Sequence, residues 1–428
     1  MTTALILAGL IALLLTGAPI FAALGLASLG VMLVFEGHVN SAADTVFAKL
    51  NNPQLTVIPM FAFMAHAMIR AKVVDELYNA AQTLVGHFRG GLGVATVLSS
   101  TVFAAISGSS VATALTIGSS SIPQMRRFGY PAPATYGVVA AGGTLGILIP
   151  PSGPMILYAI VTEASIGALF LAGVLPGLMM ALIFAAWCVV DAARHPGIRR
   201  ESWPGLAAAL TAVRGSIWAV LMPPIVLGGI YAGIFTASEA AAVGCVYAVA
   251  VGALVYRNFG WRALWDTAVE TVRTSAMLFM ILAAAAMFGH AVTIIRLPAE
   301  LIAFVTAQGL SATQFILAVM AVIFVLGMFL ETIAIILITT PIVFPVMGTL
   351  GIDPIWYGVL LMINLELALI TPPVGMNLFT IKGIADAPLI DVIRGSLPYV
   401  LLMMLGLAIV FMLPGLATWL PRIAGYGA

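Results

Sequence analysis

Charge is what this sequence has least of. Only 8% of its 428 residues are Asp, Glu, Lys or Arg, where a soluble domain carries roughly 25%. Hydrophobic residues make up 62% and the mean hydropathy is +1.15, which excludes a soluble globular fold. Cysteine is nearly absent too: Cys188 and Cys245 both lie inside apolar runs. That argues against a disulfide framework or a thiolate metal site and reads both as small packing residues. The net charge of +1, with its cations scattered through short loops, leaves no basic stripe for nucleic acid. No H-E-x-x-H or G-x-S-x-G pattern occurs, and the serines at 107–110 have no histidine near them in sequence, so an intramembrane hydrolase finds no support. The first residues, MTTALILAGLIALLLTGAP, lack the positive start of a secretory signal and are expected to stay as a membrane segment.

Long apolar runs, by contrast, recur from one end to the other, many near the roughly 20 residues that cross a bilayer. Candidate helices fall at 4–35 (interrupted at Gly17 and Pro19), 54–69, 92–122, 130–160 and 166–190. A second series falls at 216–256 (interrupted near Ser238), 276–294, 314–344, 352–382 and 388–413. The two series match in residues as well. Pro150, Pro151 and Gly153 recur 222 positions on as Pro372, Pro373 and Gly375, as do Pro123, Gly173, Leu175 and Pro176 as Pro345, Gly395, Leu397 and Pro398. Pro133, Tyr136 and Gly137 recur at 221 as Pro354, Tyr357 and Gly358. With 42 Gly and 24 Pro single coincidences are expected, but shared order at nearly one offset is not. Two repeats follow, 1–206 and 214–428.

Lys and Arg favour cytoplasmic loops. The richest stretches hold Arg126 and Arg127, then Arg194, Arg199, Arg200 and Arg214, then Arg257, Arg262 and Arg273. Keeping Arg89 on the same side as Arg126 makes 92–122 a re-entrant hairpin with its tip at Ser107–Ser110. Each repeat then has scaffold crossings (1–72; 214–294), an amphipathic arm (73–90; 295–310), a hairpin (92–122; 314–344), a broken helix (130–160; 352–382) and a last helix (166–190; 388–413). An odd number of crossings per repeat inverts the second copy. The predicted fold is an all-α polytopic membrane protein of two inverted repeats.

Four stretches place backbone-breaking residues inside apolar segments: Ser107–Ser110, Gly142–Gly153, Glu331 with Thr332, and Ala368–Asn377. In lipid every peptide group needs a partner, so a Pro-Pro break belongs where protein or a wet cavity meets the freed groups. Unwound carbonyls and tip hydroxyls offer hard oxygens to an alkali cation, while helix N-termini point positive ends at an anion. A simple packed kink explains one such break, but not two at equivalent places near hairpin tips. Glu331 and Glu366 are acids at membrane depth; Glu331 suits a cation or proton role, or the capping of a hairpin arm, and capping is the expectation. His66 and His290 are read as hydrogen-bonded packing residues.

The run Ser107-Gly108-Ser109-Ser110-Val111-Ala112-Thr113-Ala114, with Gly142–Ile147, Ile149–Ser152 and Thr371–Asn377, resembles the large membrane subunit of tripartite ATP-independent periplasmic (TRAP) transporters along essentially the whole chain. The resemblance implies an elevator-type fold of the ion-transporter superfamily, in the bacterial inner membrane and driven by a sodium gradient. It also implies a periplasmic substrate-binding protein that delivers the solute, and a small four-helix membrane subunit expected as a separate chain. One implied sodium site uses Ser107 and Ser109 with Gly146, Ile149 and Pro151; the other uses Glu331 and Thr332 with Ala368, Thr371 and Pro373. Ser110, Ser152 and Asn377, as hydroxyl and amide donors at helix breaks, are the candidates for the carboxylate of a small organic anion. The competing reading is a stand-alone sodium:dicarboxylate symporter needing no binding protein.

Overall fold

Proline and glycine mark several helix ends in this chain, while Pro123, Pro176, Pro223, Pro224, Pro341, Pro345 and Pro398 lie inside helices. A computed structural model describes residues 2–426, and no strand occurs among them. Up to Arg194 the helices are α1 (Thr2–Leu15), α2 (Ile20–Phe35), α3 (Asn40–Leu50), α4 (Val57–Arg70), α5 (Val73–Val85), α6 (Gly91–Ser107), α7 (Ser110–Arg127), α8 (Ala132–Leu148), α9 (Gly153–Thr162) and α10 (Ile166–Arg194). From Leu206 they are α11 (Leu206–Tyr231), α12 (Ala237–Ala250), α13 (Trp261–Ile294), α14 (Leu297–Ala307), α15 (Ala312–Gly327), α16 (Thr332–Thr349), α17 (Pro354–Leu369), α18 (Met376–Ala385), α19 (Leu389–Met412) and α20 (Gly415–Ile423). Seven helical segments among the described residues are long and apolar enough to cross a membrane.

Local chemistry sets these boundaries. Ser109, Ser152, Ser165 and Asp353 accept backbone N–H bonds as N-caps of α7, α9, α10 and α17. Thr236 with Glu239 and Ser311 with Gln314 close reciprocal capping boxes at α12 and α15. Gly108, with φ +59°, supplies the left-handed residue between α6 and α7.

The core is built on α8 and α17. Every residue from Thr135 to Leu148 and from Tyr357 to Leu369 is buried. Around them the contacts come in matched pairs. α4 packs on α12 and α13 on α2; α6 packs on α8 and α15 on α17; α7 packs on α18 and α16 on α9; α8 packs on α19 and α17 on α10. Close approach at α8 depends on glycine: a Cβ at Gly137 would overlap the Gly395 carbonyl, and one at Gly395 the Pro133 carbonyl. Many large apolar side chains outside this core, such as Leu26, Leu182, Leu254 and Leu401, are exposed, as a lipid-facing surface requires.

Three features differ from the sequence reading. The helix expected from 276 begins at Trp261, so the charged stretch Arg262–Arg273 is helical. Hydropathy hid it, because Asp266 and Glu270 lie one turn apart on one strip and both pair with Arg70 of α4, at 3.1 and 2.7 Å. The break placed near Ser238 falls at 232–236, before the Thr236 cap. Two short helices, α3 and α20, were not expected; α3 buries no side chain, and α20 follows Pro414.

Candidate functional site

Pro150 and Pro151 carry no N–H, so the carbonyls of Gly146 and Ile147 lose the donors that would continue α8. Pro372 and Pro373 do the same to Ala368 and Leu369 of α17. Both Pro-Pro bonds are cis. Each break meets the tip of the hairpin that precedes it. At the first, a Cβ on Gly108 would lie 2.7 Å from the Pro151 carbonyl oxygen, and one on Gly146 would overlap the carbonyl of Ser109. Only glycine lets these backbones approach so closely. At the second, Gly375 N–H donates to the Met328 carbonyl at 3.2 Å.

The residues of the first implied ion site therefore lie together. Ser109 caps α7 and Ser107 Oγ is 2.8 Å from Thr113 Oγ1. Ile149 follows the end of α8 and packs against Gly177 of α10. The second site is less open. Thr371 N–H donates to the Ala368 carbonyl at 3.1 Å, and its hydroxyl donates to Leu367 O at 2.6 Å. Glu331 stands at the N-cap position of α16 but its side chain makes no capping bond, which corrects the capping expectation. It lines a cavity instead, because capping needs a short side chain folded back on its own helix and Glu331 is turned to the space between the tips.

That cavity, of about 320 Å³, lies among both hairpin tips, the two breaks and a wall formed by α4 and α13. Ser107, Ser109, Ser110, Ser152, Glu331 and Thr332 line one side; Phe61, Met64, Met277 and Leu278 line the other. Ser152, Pro151 and Leu369 bring the breaks to its surface, whereas Pro373 and Asn377 are not among the lining residues. His66 belongs to the wall as well as to the packing: Nε2 is 3.3 Å from Thr274 Oγ1, which gives its own proton to Glu270 O, so the imidazole is the donor. His290 is a packing residue, with Nε2 3.1 Å from Glu36 Oε1.

Ser110 and Asn377, expected to face a solute, are engaged with each other. Asn377 Nδ2 donates to Ser110 Oγ at 2.7 Å, and Ser110 donates to Glu366 Oε2 at 2.9 Å. Asn377 is fully buried, and so is Glu366. The importance of Glu366 could be sensed in the sequence only from an acid at membrane depth; its partner Ser110, 256 positions away, could not.

Residues 7–416 match the family model of the DctM component of tripartite ATP-independent periplasmic transporters. The chain is 40% identical to the C4-dicarboxylate TRAP transporter large permease protein DctM of Pseudomonas aeruginosa, with 93% of each covered. It is 33% identical to the ectoine TRAP transporter large permease protein TeaC of Halomonas elongata, over 99% of each. Among solved structures, the YdaH transporter of Alcanivorax borkumensis superposes with a TM-score of 0.63 at 14% identity, covering 91% of this chain and 89% of that one, a likeness of fold. A family match over residues 7–416, relatives named as large permease proteins along nearly their whole length, and seven helical segments able to cross a membrane lead to one assignment: the chain belongs to the DctM family, as the large permease component of a TRAP transporter, a multi-pass protein of the bacterial inner membrane.

Proposed function

We propose that this permease carries a small organic anion inward with sodium, by an elevator movement of the hairpins and broken helices (α6–α9 and α15–α18) along a scaffold that includes α2, α4, α12 and α13. The observation that carries this reading is the cavity: its serines, Glu331 and Thr332 come from hairpin tips and breaks, while its facing wall, which adds His66 and Thr274, comes from α4 and α13. A solute held there touches both bodies. Their relative movement would expose it first to one side of the membrane and then to the other. The matched contacts, α7 on α18 with α16 on α9, support two repeats, 1–206 and 214–428, inverted in the membrane with one hairpin opening to each side.

Sodium has oxygen donors at both tip-and-break pairs: Ser107, Ser109, Gly146, Ile149 and Pro151 at one, and Glu331, Thr332, Ala368, Thr371 and Pro373 at the other. The solute's carboxylate meets the hydroxyl of Ser152 and the N-terminal end of α9, whose dipole favours an anion. Ser110 reaches the same space, while Asn377 acts through Ser110. Relatives are named for C4-dicarboxylates and for ectoine, which supports a small carboxylate as this chain's solute. A periplasmic binding protein delivers it, and a small four-helix membrane subunit braces the scaffold.

The test is uptake of a labelled C4-dicarboxylate into proteoliposomes holding the permease and its small subunit. Uptake should require both an inward sodium gradient and the binding protein. Sodium-driven uptake indifferent to the binding protein would favour a stand-alone symporter.

A further inference from the structure

The hydrogen-bonded chain from Asn377 through Ser110 to Glu366 has a fixed direction. Ser110 owns one hydroxyl proton, and its donation to Glu366 Oε2 at 2.9 Å leaves Ser110 Oγ as an acceptor toward Asn377. The amide group facing it must then be Nδ2, not Oδ1. All three side chains are buried, and no salt bridge reaches Glu366 among the described residues. Its hydrogen-bond partner is the Ser110 hydroxyl, which sits at the amino end of α7. Gly143 of α8 makes room for the chain: a Cβ there would lie 3.3 Å from Asn377 Nδ2 and 3.2 Å from Ser110 O. In so apolar a setting each bond is strong and each loss leaves a buried polar group unpaired.

What the chain connects gives it a role. Ser110 follows Ser109, whose carbonyl rests on Gly146 at the first break. Glu366 precedes Leu367 and Ala368, the carbonyls bonded by Thr371 at the second break. Asn377 follows that break, two residues after Gly375, which is tied to the second tip. One directional chain therefore runs from the first tip to both sides of the second break.

We propose that Asn377, Ser110 and Glu366 couple the two ion sites, so that sodium at one favours sodium at the other. Sodium that fixes Ser109 also fixes Ser110; Ser110 then holds Glu366 and Asn377, and with them the carbonyls of the second break. By reciprocity the second site acts on the first with the same factor. Glu366 is a positioning residue in this scheme, not an ion ligand. The inference rests on the two sodium sites of the preceding subsection.

Radiolabelled sodium binding, measured by scintillation proximity on the permease with its small subunit in nanodiscs, tests it. The wild type should bind cooperatively, and Ser109→Ala should weaken the distant site about fivefold or more. Ser110→Ala or Glu366→Met should bring the Hill coefficient toward 1, and in either background Ser109→Ala should weaken only its own site. Glu366→Gln, which keeps an acceptor for Ser110, should retain the coupling. Cooperativity that survives both Ser110→Ala and Glu366→Met overturns the proposal, and so does the loss of one bound sodium in Glu366→Gln, which would make Glu366 a ligand. Two independent sites in the wild type overturn it as well and leave the sodium reading intact; a wild type that binds no sodium removes that reading itself.

Discussion

The glycines at the first hairpin tip fix its backbone. Gly146 lets the Ser109 carbonyl sit against the end of α8, and Gly108 lets the tip sit against the Pro151 carbonyl, which brings the Ser109 residue to the first break. Ser109→Ala should leave folding nearly unchanged, since Ser109 Oγ accepts only a long bond of 3.4 Å from Ala112 N. If it ligates sodium as proposed, loss of one ligand worth ~1.4 kcal/mol should raise the half-saturating sodium concentration about tenfold. Uptake measured against sodium concentration checks this; an unaltered curve would remove Ser109 from the site. Residue patterns foretold which side chains gather at the tips, because Ser, Gly and Pro act locally on the backbone. They could not foretell that Ser110 and Asn377 would bond each other beside Glu366, since that depends on α7 and α18 meeting across 267 positions.

Among the elements, the broken helices carry the distinctive physics. α8 with α9 and α17 with α18 are interrupted where a continuous helix would be the default in lipid. Pro151→Ala restores one N–H and lets the helix bond toward Ile147, withdrawing a carbonyl from the tip. The protein should still insert, and uptake should fall at least several-fold. Normal uptake by a well-inserted Pro151→Ala protein would make the break a mere kink. The helix interruptions at Ser107–Ser110 and at the two Pro-Pro pairs were legible in the sequence, because Pro/Gly punctuation reports them directly. The amino-terminal half of α13 was not. Its charges suggested a loop until Arg70 of α4 supplied the partner that keeps Asp266 and Glu270 on a helix face. α3 and α20 escaped notice because they are short and carry no long apolar run.

At the scale of the whole molecule, the matched contacts of the two halves and the mixed ownership of the cavity support the proposed elevator, in which hairpins and breaks would travel together while α4 and α13 stay with the scaffold. Sequence repeats suggested two halves, but which helices would form the facing wall depended on packing that no local pattern encodes. The most direct measurement is a reversible link across the cavity. Ala62 of α4 and Val111 of α7 both line it from opposite bodies. In a background with Cys188→Ala and Cys245→Ala, Ala62→Cys and Val111→Cys would be joined by a short, cleavable bifunctional thiol reagent and sodium-driven uptake followed in proteoliposomes. Cross-linking should abolish uptake and cleavage should restore it. Full uptake by the cross-linked protein would contradict the movement of one body past the other.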